Sequence, residues 1–315
     1  MPHHLDHGML SVGIAAGFAA ALCSAVSYFI SRDHGSRGGS SLRLLVLAHG
    51  MMGVACLPLS WLLWPTVLGA DTRWAWPLAG TTASYLLGQV LVFSALCRTG
   101  ASRVAPLLGL KIAMLAGITC LTPGGALDIR QWIAVGMSVV AAVMLQRGGG
   151  MPLPAVALTL GACLTFAMSD LYIVALIDGL QESATAAGQP LGRLAAGGLA
   201  MAVTYVACGA VAVGLASHPG ARPTNRDDWL ASGRYSVAWL AGMVGLYTCF
   251  GTVGAVFGNI LQSTRGVIAI AIGALLAHRG RHDLEMRVDR ATFLRRVAAA
   301  ILMTAAIALY VVDLS

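Results

Sequence analysis

The chain has 315 residues, of which 57% are hydrophobic and only 10% are charged, and its formal net charge is +7. This composition excludes a soluble domain of useful size, because apolar runs occupy most of the length. The excess positive charge comes from arginines in the polar loops, which indicates contact with anionic lipid headgroups and predicts no nucleic-acid partner.

Ten apolar runs follow one another from the N-terminus, and each approaches the roughly 20 residues that a helix needs to cross a bilayer. The runs are continuous, without the alternation of barrel strands, so helices are expected. The sequence therefore predicts an all-α integral membrane protein with ten transmembrane helices. The predicted spans are residues 11–30, 42–66, 74–97, 102–122, 128–146, 153–177, 190–216, 236–257, 259–278 and 293–312.

A glycine-rich segment, Arg147-Gly148-Gly149-Gly150, lies near the midpoint and divides the chain into residues 1–150 and 151–315. Each half contains five predicted spans. Gly17 and Tyr28 have the same spacing as Gly161 and Tyr172, and Lys111 in the fourth span precedes Arg265 in the ninth. An odd number of spans per half inverts the second half, so the sequence predicts two inverted five-helix repeats, as in many secondary transporters.

The arginines of the loops give a prediction of orientation. The odd-numbered loops carry about fifteen arginines and the even-numbered loops about three, whereas the termini carry none. Basic loops stay in the cytoplasm, so this count places both termini outside.

Only Lys111, Asp170 and Arg265 are ionised at neutral pH and lie well inside predicted spans. Each such charge costs roughly 2.5–3.5 kcal/mol on insertion scales, so each is expected to be paired, snorkelling or functional. Asn259, Gln262 and Arg265 recur every three residues and give the ninth span a polar face. Arg265 could bind an anion there, or could reach the headgroups by snorkelling.

Lys111 is the chain's single lysine and lies near mid-depth in the fourth span, among bulky neighbours. It is a candidate substrate contact or the partner of Asp170 in a structural ion pair. Asp170 is correspondingly a candidate coupling acid or counter-ion.

Neutral polar side chains could complete a pocket around these charges, although most membrane hydroxyls only join helices. His49 is expected to be a hydrogen-bonded neutral imidazole. The pairs Gly13/Gly17 and Gly254/Gly258 are expected to be packing sites. The neutral candidates for substrate binding are Tyr28, Tyr85, Gln89, Tyr172 and Gln262.

No nucleotide-binding, zinc-protease or hydrolase motif occurs in the sequence, so no catalytic residue, metal or cofactor is predicted. The seven cysteines lie in or beside apolar runs and are expected to be packing residues. The histidines and aspartate of the N-terminal tail (His3, His4, Asp6 and His7) are expected to be a disordered polar tail. An alternative membrane enzyme would have to use the loop groups Asp227, Asp228, His282, Asp283 and Glu285.

Four segments resemble the drug/metabolite transporter superfamily, in particular its EamA-like branch. They are Gly100-Ala-Ser-Arg-Val-Ala-Pro-Leu at the entry into the fourth span, Gln131-Trp-Ile-Ala-Val-Gly in the fifth, Gln262-Ser-Thr-Arg-Gly in the ninth and Phe293-Leu-Arg-Arg-Val-Ala-Ala-Ala in the tenth. The resemblance implies a central cavity lined by spans 1, 3, 4, 6, 8 and 9, and alternating access for small solutes. It also implies cytoplasmic termini, against the arginine count, so the orientation stays open.

The expected function is secondary transport of a small anionic or zwitterionic metabolite across the inner membrane, with lipids as the surroundings and a monomer or homodimer as the assembly. Two alternatives remain. One is a membrane enzyme acting on lipid-linked substrates, and the other is a non-transporting partner protein. The second would be favoured by a sealed bundle in which Lys111 and Asp170 touch.

Overall fold

The computed structural model describes residues 7–64, 72–121, 127–146, 151–280 and 289–311, and these residues form helices joined by short turns, with no strand among them. Two short 3₁₀ turns, Leu108–Leu110 and Pro219–Ala221, accompany the α-helices. The α-helices are α1 (His7–Ser36), α2 (Ser41–Leu63), α3 (Ala75–Leu96), α4 (Ala101–Leu107), α5 (Lys111–Cys120), α6 (Ile129–Gln146), α7 (Leu153–Ala186), α8 (Arg193–Leu215), α9 (Arg226–Val253), α10 (Ala255–Ser263), α11 (Arg265–His278) and α12 (Arg290–Val311).

Eight helical segments in the described part of the chain are long and apolar enough to cross a membrane. Two of these segments consist of two helices end to end, α4 with α5 and α10 with α11. Helix α6 is a shorter apolar helix, and α12 begins with a basic stretch that contains Arg290 and Arg295. The prediction of a multi-pass helical membrane protein is therefore confirmed, whereas the count of ten spans and the inverted repeat stay predictions.

Several helices begin where a polar side chain caps the free backbone N–H groups. The Asn225 side chain accepts a hydrogen bond from the Asp228 backbone at 2.9 Å. This cap starts α9 at Arg226, ten residues before the apolar run from which the span was predicted to begin at 236. Asp128 and Gln131 accept each other's backbone N–H groups at 2.7 and 3.1 Å, which is a capping box that starts α6.

The break between the eighth and ninth predicted spans lies at Gly254, not near Gly258 as the sequence predicted. Gly254 has φ of +80°, a conformation that favours glycine, and it ends α9 at Val253. Gly254 has open space around its Cα, so the expectation that it is a packing glycine is wrong. Gly258 lies within α10, where a Cβ would come within 2.6 Å of the Phe250 ring.

The most extensive helix contacts join α1 to α9, α3 to α7, α2 to α8 and α6 to α12. Small residues permit these contacts, as membrane helices require. A Cβ on Gly245 of α9 would lie 2.6 Å from the Ala16 carbonyl oxygen of α1. Helices α2 and α8 cross at Gly53 and Gly209, where a Cβ on Gly53 would lie 2.8 Å from the Gly209 Cα.

We expect Gly53→Ala to lower the free energy of unfolding in detergent by about 1–3 kcal/mol, because the added methyl group would meet backbone atoms of α8 that cannot move independently. Gly50→Ala is the matched control on the same helix, since a Cβ added there would have no neighbouring atom within 4 Å. Thermal unfolding of the purified protein measures both effects. Equal stability of the two variants would contradict a backbone contact at Gly53.

Candidate functional site

Two membrane-crossing segments are interrupted, and each interruption carries a buried cation. Lys111 is the first residue of α5, directly after the 3₁₀ turn that follows α4. Arg265 is the first residue of α11, and only Thr264 separates it from Ser263, the last residue of α10. Interrupted helices in corresponding positions of two halves are typical of transporter binding sites. The two breaks thus place Lys111 and Arg265 in similar local settings.

Lys111 forms an ion pair with Asp170. Its Nζ lies 2.7 Å from Asp170 Oδ2, and both side chains are almost fully buried. The Asn259 side-chain amide donates to the same carboxylate oxygen at 2.8 Å. This arrangement is the ion pair that the sequence offered as one alternative for the two residues, and the charge of Lys111 is compensated within the bundle.

Arg265 is buried, with 5% of its surface exposed, and has no carboxylate within ion-pair distance among the described residues. Its Nη2 is 3.5 Å from the Leu108 carbonyl oxygen, and its Cζ lies 5.8 Å from the centre of the Tyr28 ring. Its Nε atom has no hydrogen-bond partner within the described residues. The side chain therefore does not extend to the headgroups, which is the snorkelling alternative, but points into the bundle.

The three charges line a small cavity of about 30 Å³ between the helices. That volume holds about one or two water molecules, so a metabolite has no room in this cavity in the present structure. Two cations and one carboxylate leave a formal charge of +1 in the lining. The lining side chains are those of Ser24, Tyr28, Tyr85, Lys111, Phe166, Ser169, Asp170, Ile173, Thr204, Tyr205, Trp239, Met243, Leu246, Tyr247, Gln262 and Arg265.

The neutral candidates from the sequence divide into two groups. Tyr28, Tyr85 and Gln262 line the cavity. Gln89 lies outside the lining and accepts a hydrogen bond from the Tyr235 hydroxyl at 3.2 Å. Tyr172 also lies outside it, because its ring lies against the backbone of α3 at Gly80, where a Cβ would come within 2.7 Å of it.

Sequence reasoning missed several cavity residues, among them Phe166, Thr204, Tyr205 and Trp239. Thr204 and Tyr205 belong to α8, which is the seventh predicted span, so the lining extends beyond the six spans that the resemblance implied. Most of the missed side chains are apolar or aromatic, and aromatic residues in an apolar run give no sign of whether they face lipid or a cavity. The signal that was available is the spacing of Trp239, Met243 and Leu246 along one face of α9.

Hydrogen bonds behind the cavity fix the orientation of its aromatic wall. His49 Nδ1 lies 2.7 Å from the Leu45 carbonyl oxygen, so this nitrogen must carry the proton. The other ring nitrogen lies 2.9 Å from the Tyr85 hydroxyl, which can donate to it. This geometry suits the neutral imidazole that the sequence predicted. On the adjacent side, Trp239 Nε1 donates to the Tyr205 hydroxyl at 2.8 Å.

Comparison with known proteins finds a similarity in the first half of the chain. Residues 11–147 match the EamA-like transporter family. This part of the chain is similar to the EamA-like transporter family. No curated protein matches the sequence. A solved crystal structure, described only as that of a protein, superimposes with a TM-score of 0.62 at 16% identity, covering 95% of this chain and 96% of that chain, and it supports the fold alone.

The EamA-like half contributes Tyr28, Tyr85 and Lys111 to the cavity, while Asp170, Gln262 and Arg265 come from the half that follows. The cavity is thus built between the matched segment and the rest of the chain. The resemblance to the superfamily stated for the sequence is confirmed over residues 11–147. Together with the eight apolar segments, this match supports a multi-pass membrane protein that is similar to the EamA-like transporters.

Of the groups considered for an enzyme, Asp227 and Asp228 lie in the described part of the protein and line one pocket. Asp228 is bound by the Arg43 guanidinium at 3.0 Å and by the backbone and hydroxyl of Thr224 at 2.8 and 3.0 Å. His282, Asp283 and Glu285, like the tail residues His3, His4 and Asp6, lie outside the described residues. No group of three histidine, cysteine or acidic side chains within the described ranges could hold a metal ion.

We expect Asp170→Asn to destabilise the protein by about 3–5 kcal/mol, because it leaves the Lys111 ammonium buried without its counter-ion. Thermal or denaturant unfolding in detergent measures this loss. The double variant Lys111→Met/Asp170→Leu removes both charges and should recover most of the stability. If the loss of stability in this double variant instead equals the sum of the losses in Lys111→Met alone and Asp170→Leu alone, the two residues are not energetically coupled.

Proposed function

We propose that the chain is a ten-span secondary transporter of the inner membrane, which moves a small anionic or zwitterionic metabolite by alternating access through the central cavity. The observation that carries the proposal is the buried Arg265 guanidinium, which faces the cavity without a carboxylate partner among the described residues. A lone cation at this depth is unfavourable in the empty protein. A bound carboxylate or phosphate would supply the missing negative charge, and the planar guanidinium suits both groups.

The unpartnered polar atoms around Arg265 support an anionic ligand. They are the Tyr28 hydroxyl, both amide atoms of Gln262 and Nε of Arg265 itself. Three of these four atoms are able to donate a hydrogen bond, and the Gln262 oxygen alone is limited to accepting. Buried polar groups normally have partners, so a cluster of unpartnered donors beside a cation favours an oxyanion as the group that completes the site.

A zwitterion would use both Arg265 and Asp170. Its anionic group would lie against Arg265, and its cationic group would share the Asp170 carboxylate with the Lys111 ammonium. The Lys111–Asp170 pair would then loosen on binding and tighten again on release. This version of the proposal assigns to the ion pair the coupling role considered for Asp170.

The helix contacts support an inverted repeat. If the halves are equivalent in chain order, α1 corresponds to α7 and α3 to α9. Exchange of the halves then converts the α1–α9 contact into the α3–α7 contact, and these are two of the most extensive contacts in the described structure. The breaks that begin α5 and α11 correspond in the same way. With no nucleotide-binding motif in the sequence, transport would use ion or substrate gradients or exchange.

The cavity must widen during such a cycle, because about 30 Å³ cannot hold a metabolite. The closed bundle with a direct Lys111–Asp170 contact is also what a non-transporting partner protein would show. Arg265 favours transport over that candidate, since a scaffold with a buried pair has no need of a third, uncompensated charge. We therefore regard the structure as a closed state of a carrier.

We expect Arg265→Gln to reduce anion transport in proteoliposomes at least tenfold, which corresponds to about 1.4 kcal/mol of lost stabilisation. The substitution removes the guanidinium charge but keeps a polar side chain of similar length. The measurement is uptake of labelled mono- and dicarboxylates, phosphorylated metabolites and amino acids by vesicles with equal amounts of reconstituted protein.

Arg279→Gln is the matched control, because Arg279 is exposed at the other end of α11 and should leave transport unchanged. Transport of an anion at the same rate by Arg265→Gln and the wild type would contradict an anion site at Arg265. A folded wild-type protein that moves none of these solutes would favour the non-transporting partner.

A further inference from the structure

We propose that the groove between α2 and α8 binds one acyl chain of an anionic phospholipid, whose phosphate lies against Arg222 and Arg226. The inference does not depend on transport, since it concerns the outer surface of the bundle. It requires only that these helices are embedded in a bilayer.

The groove begins where α2 and α8 touch. Gly53 and Gly209 bring the two backbones into contact, so the helices diverge on either side of this crossing. Toward the end of α8 the space between them forms a groove of about 530 Å³. Its floor includes Gly50, where an added Cβ would have only open space within 4 Å. The groove is therefore open from the membrane side.

Every side chain that lines the groove is apolar, apart from the indole N–H of a tryptophan at one end. Val54 and Val213 on opposite walls are 68% and 72% exposed, so no other part of the described protein covers them. An acyl chain is the flexible apolar group that a bilayer supplies to such a surface. The lining residues are Val46, Leu47, Gly50, Met51, Val54, Ala55, Ala212, Val213, Ala216 and Trp229.

One end of the groove is basic and aromatic. Trp229, which lines this end, lies one helical turn after Arg226 near the start of α9. The Arg43 side chain donates to the Arg222 carbonyl oxygen at 2.7 Å, which holds Arg222 near the start of α2. Val46 and Leu47, one turn further along α2, are lining residues. Arg222 and Arg226 are exposed, and neither has an acidic partner in the part of the chain that the structure describes.

An apolar groove with two cations at one end suits a molecule that has an apolar chain and an anionic group. Tryptophan marks the headgroup level of a bilayer, and basic side chains at that level attract anionic headgroups. A phospholipid satisfies both parts with one molecule, because its chain fills the groove and its phosphate meets the arginines. A second copy of the protein could cover the apolar walls, and the experiment below distinguishes it from a lipid.

Native mass spectrometry of the detergent-purified protein with added dioleoyl phosphatidylglycerol or dioleoyl phosphatidylcholine tests the site. We expect the wild type to retain phosphatidylglycerol at least fivefold more than phosphatidylcholine. Gly50→Leu adds a side chain to the groove where a Cβ has open space, and it should reduce retention of phosphatidylglycerol at least fivefold. Gly136→Leu is the matched control, since Gly136 is an exposed glycine with equally open surroundings on α6.

The double variant Arg222→Gln/Arg226→Gln removes the contacts to the headgroup and keeps the groove for the acyl chain. It should retain the two lipids equally. Equal retention by the wild type, or unchanged retention in Gly50→Leu, overturns the proposal. A wild-type dimer that Gly50→Leu converts to a monomer, with lipid retention unaffected, would assign the groove to a second copy and also overturn it.

Discussion

The low polarity of the bilayer is the constraint on which the interior of this protein depends, because a buried charge there must be met by another charge or by strong hydrogen bonds. Lys111 meets this requirement through Asp170 at 2.7 Å, and Asn259 donates to the same carboxylate. Arg265 meets it only in part, through a carbonyl oxygen at 3.5 Å and the face of Tyr28. This difference between the two buried cations is the observation on which the proposed anion site at Arg265 rests.

Helix breaks make this arrangement possible. Pro106 has no backbone N–H and interrupts the regular hydrogen bonding near the end of α4, and Lys111 begins the next helix after one 3₁₀ turn. In the other half, α10 ends before Thr264 and Arg265 begins α11. A break frees backbone carbonyl groups at membrane depth, and these need donors from side chains. The contact between Arg265 and the Leu108 carbonyl joins the two breaks directly.

The sequence predicted the charged part of the site better than its shape. Charges in apolar runs are rare and expensive, so Lys111, Asp170 and Arg265 could be recognised without a structure. Tyr205 and Trp239 could not be recognised in this way, because a tryptophan or tyrosine is equally stable against lipid and inside the bundle. Whether such a side chain faces the cavity depends on the rotation of its helix. The break at Gly254 was misplaced for a related reason. Two glycines four residues apart are consistent with a helix-packing site or with a helix end. The φ angle that distinguishes these alternatives depends on tertiary structure.

The two ends of α9 are held in different ways, and this difference bears on how a closed bundle would open. At its start, Asp228 is almost fully buried and binds Arg43. At its other end, Arg193 donates to the Gly251 carbonyl oxygen at 2.6 Å and pairs with Asp178, but both charged side chains are 44% exposed. An exposed ion pair contributes about 0–1 kcal/mol to stability. Breaking a buried ion pair costs about 3–5 kcal/mol. In the proposed cycle, the end that contains Arg193 is therefore the one with the lower barrier to separation from this state.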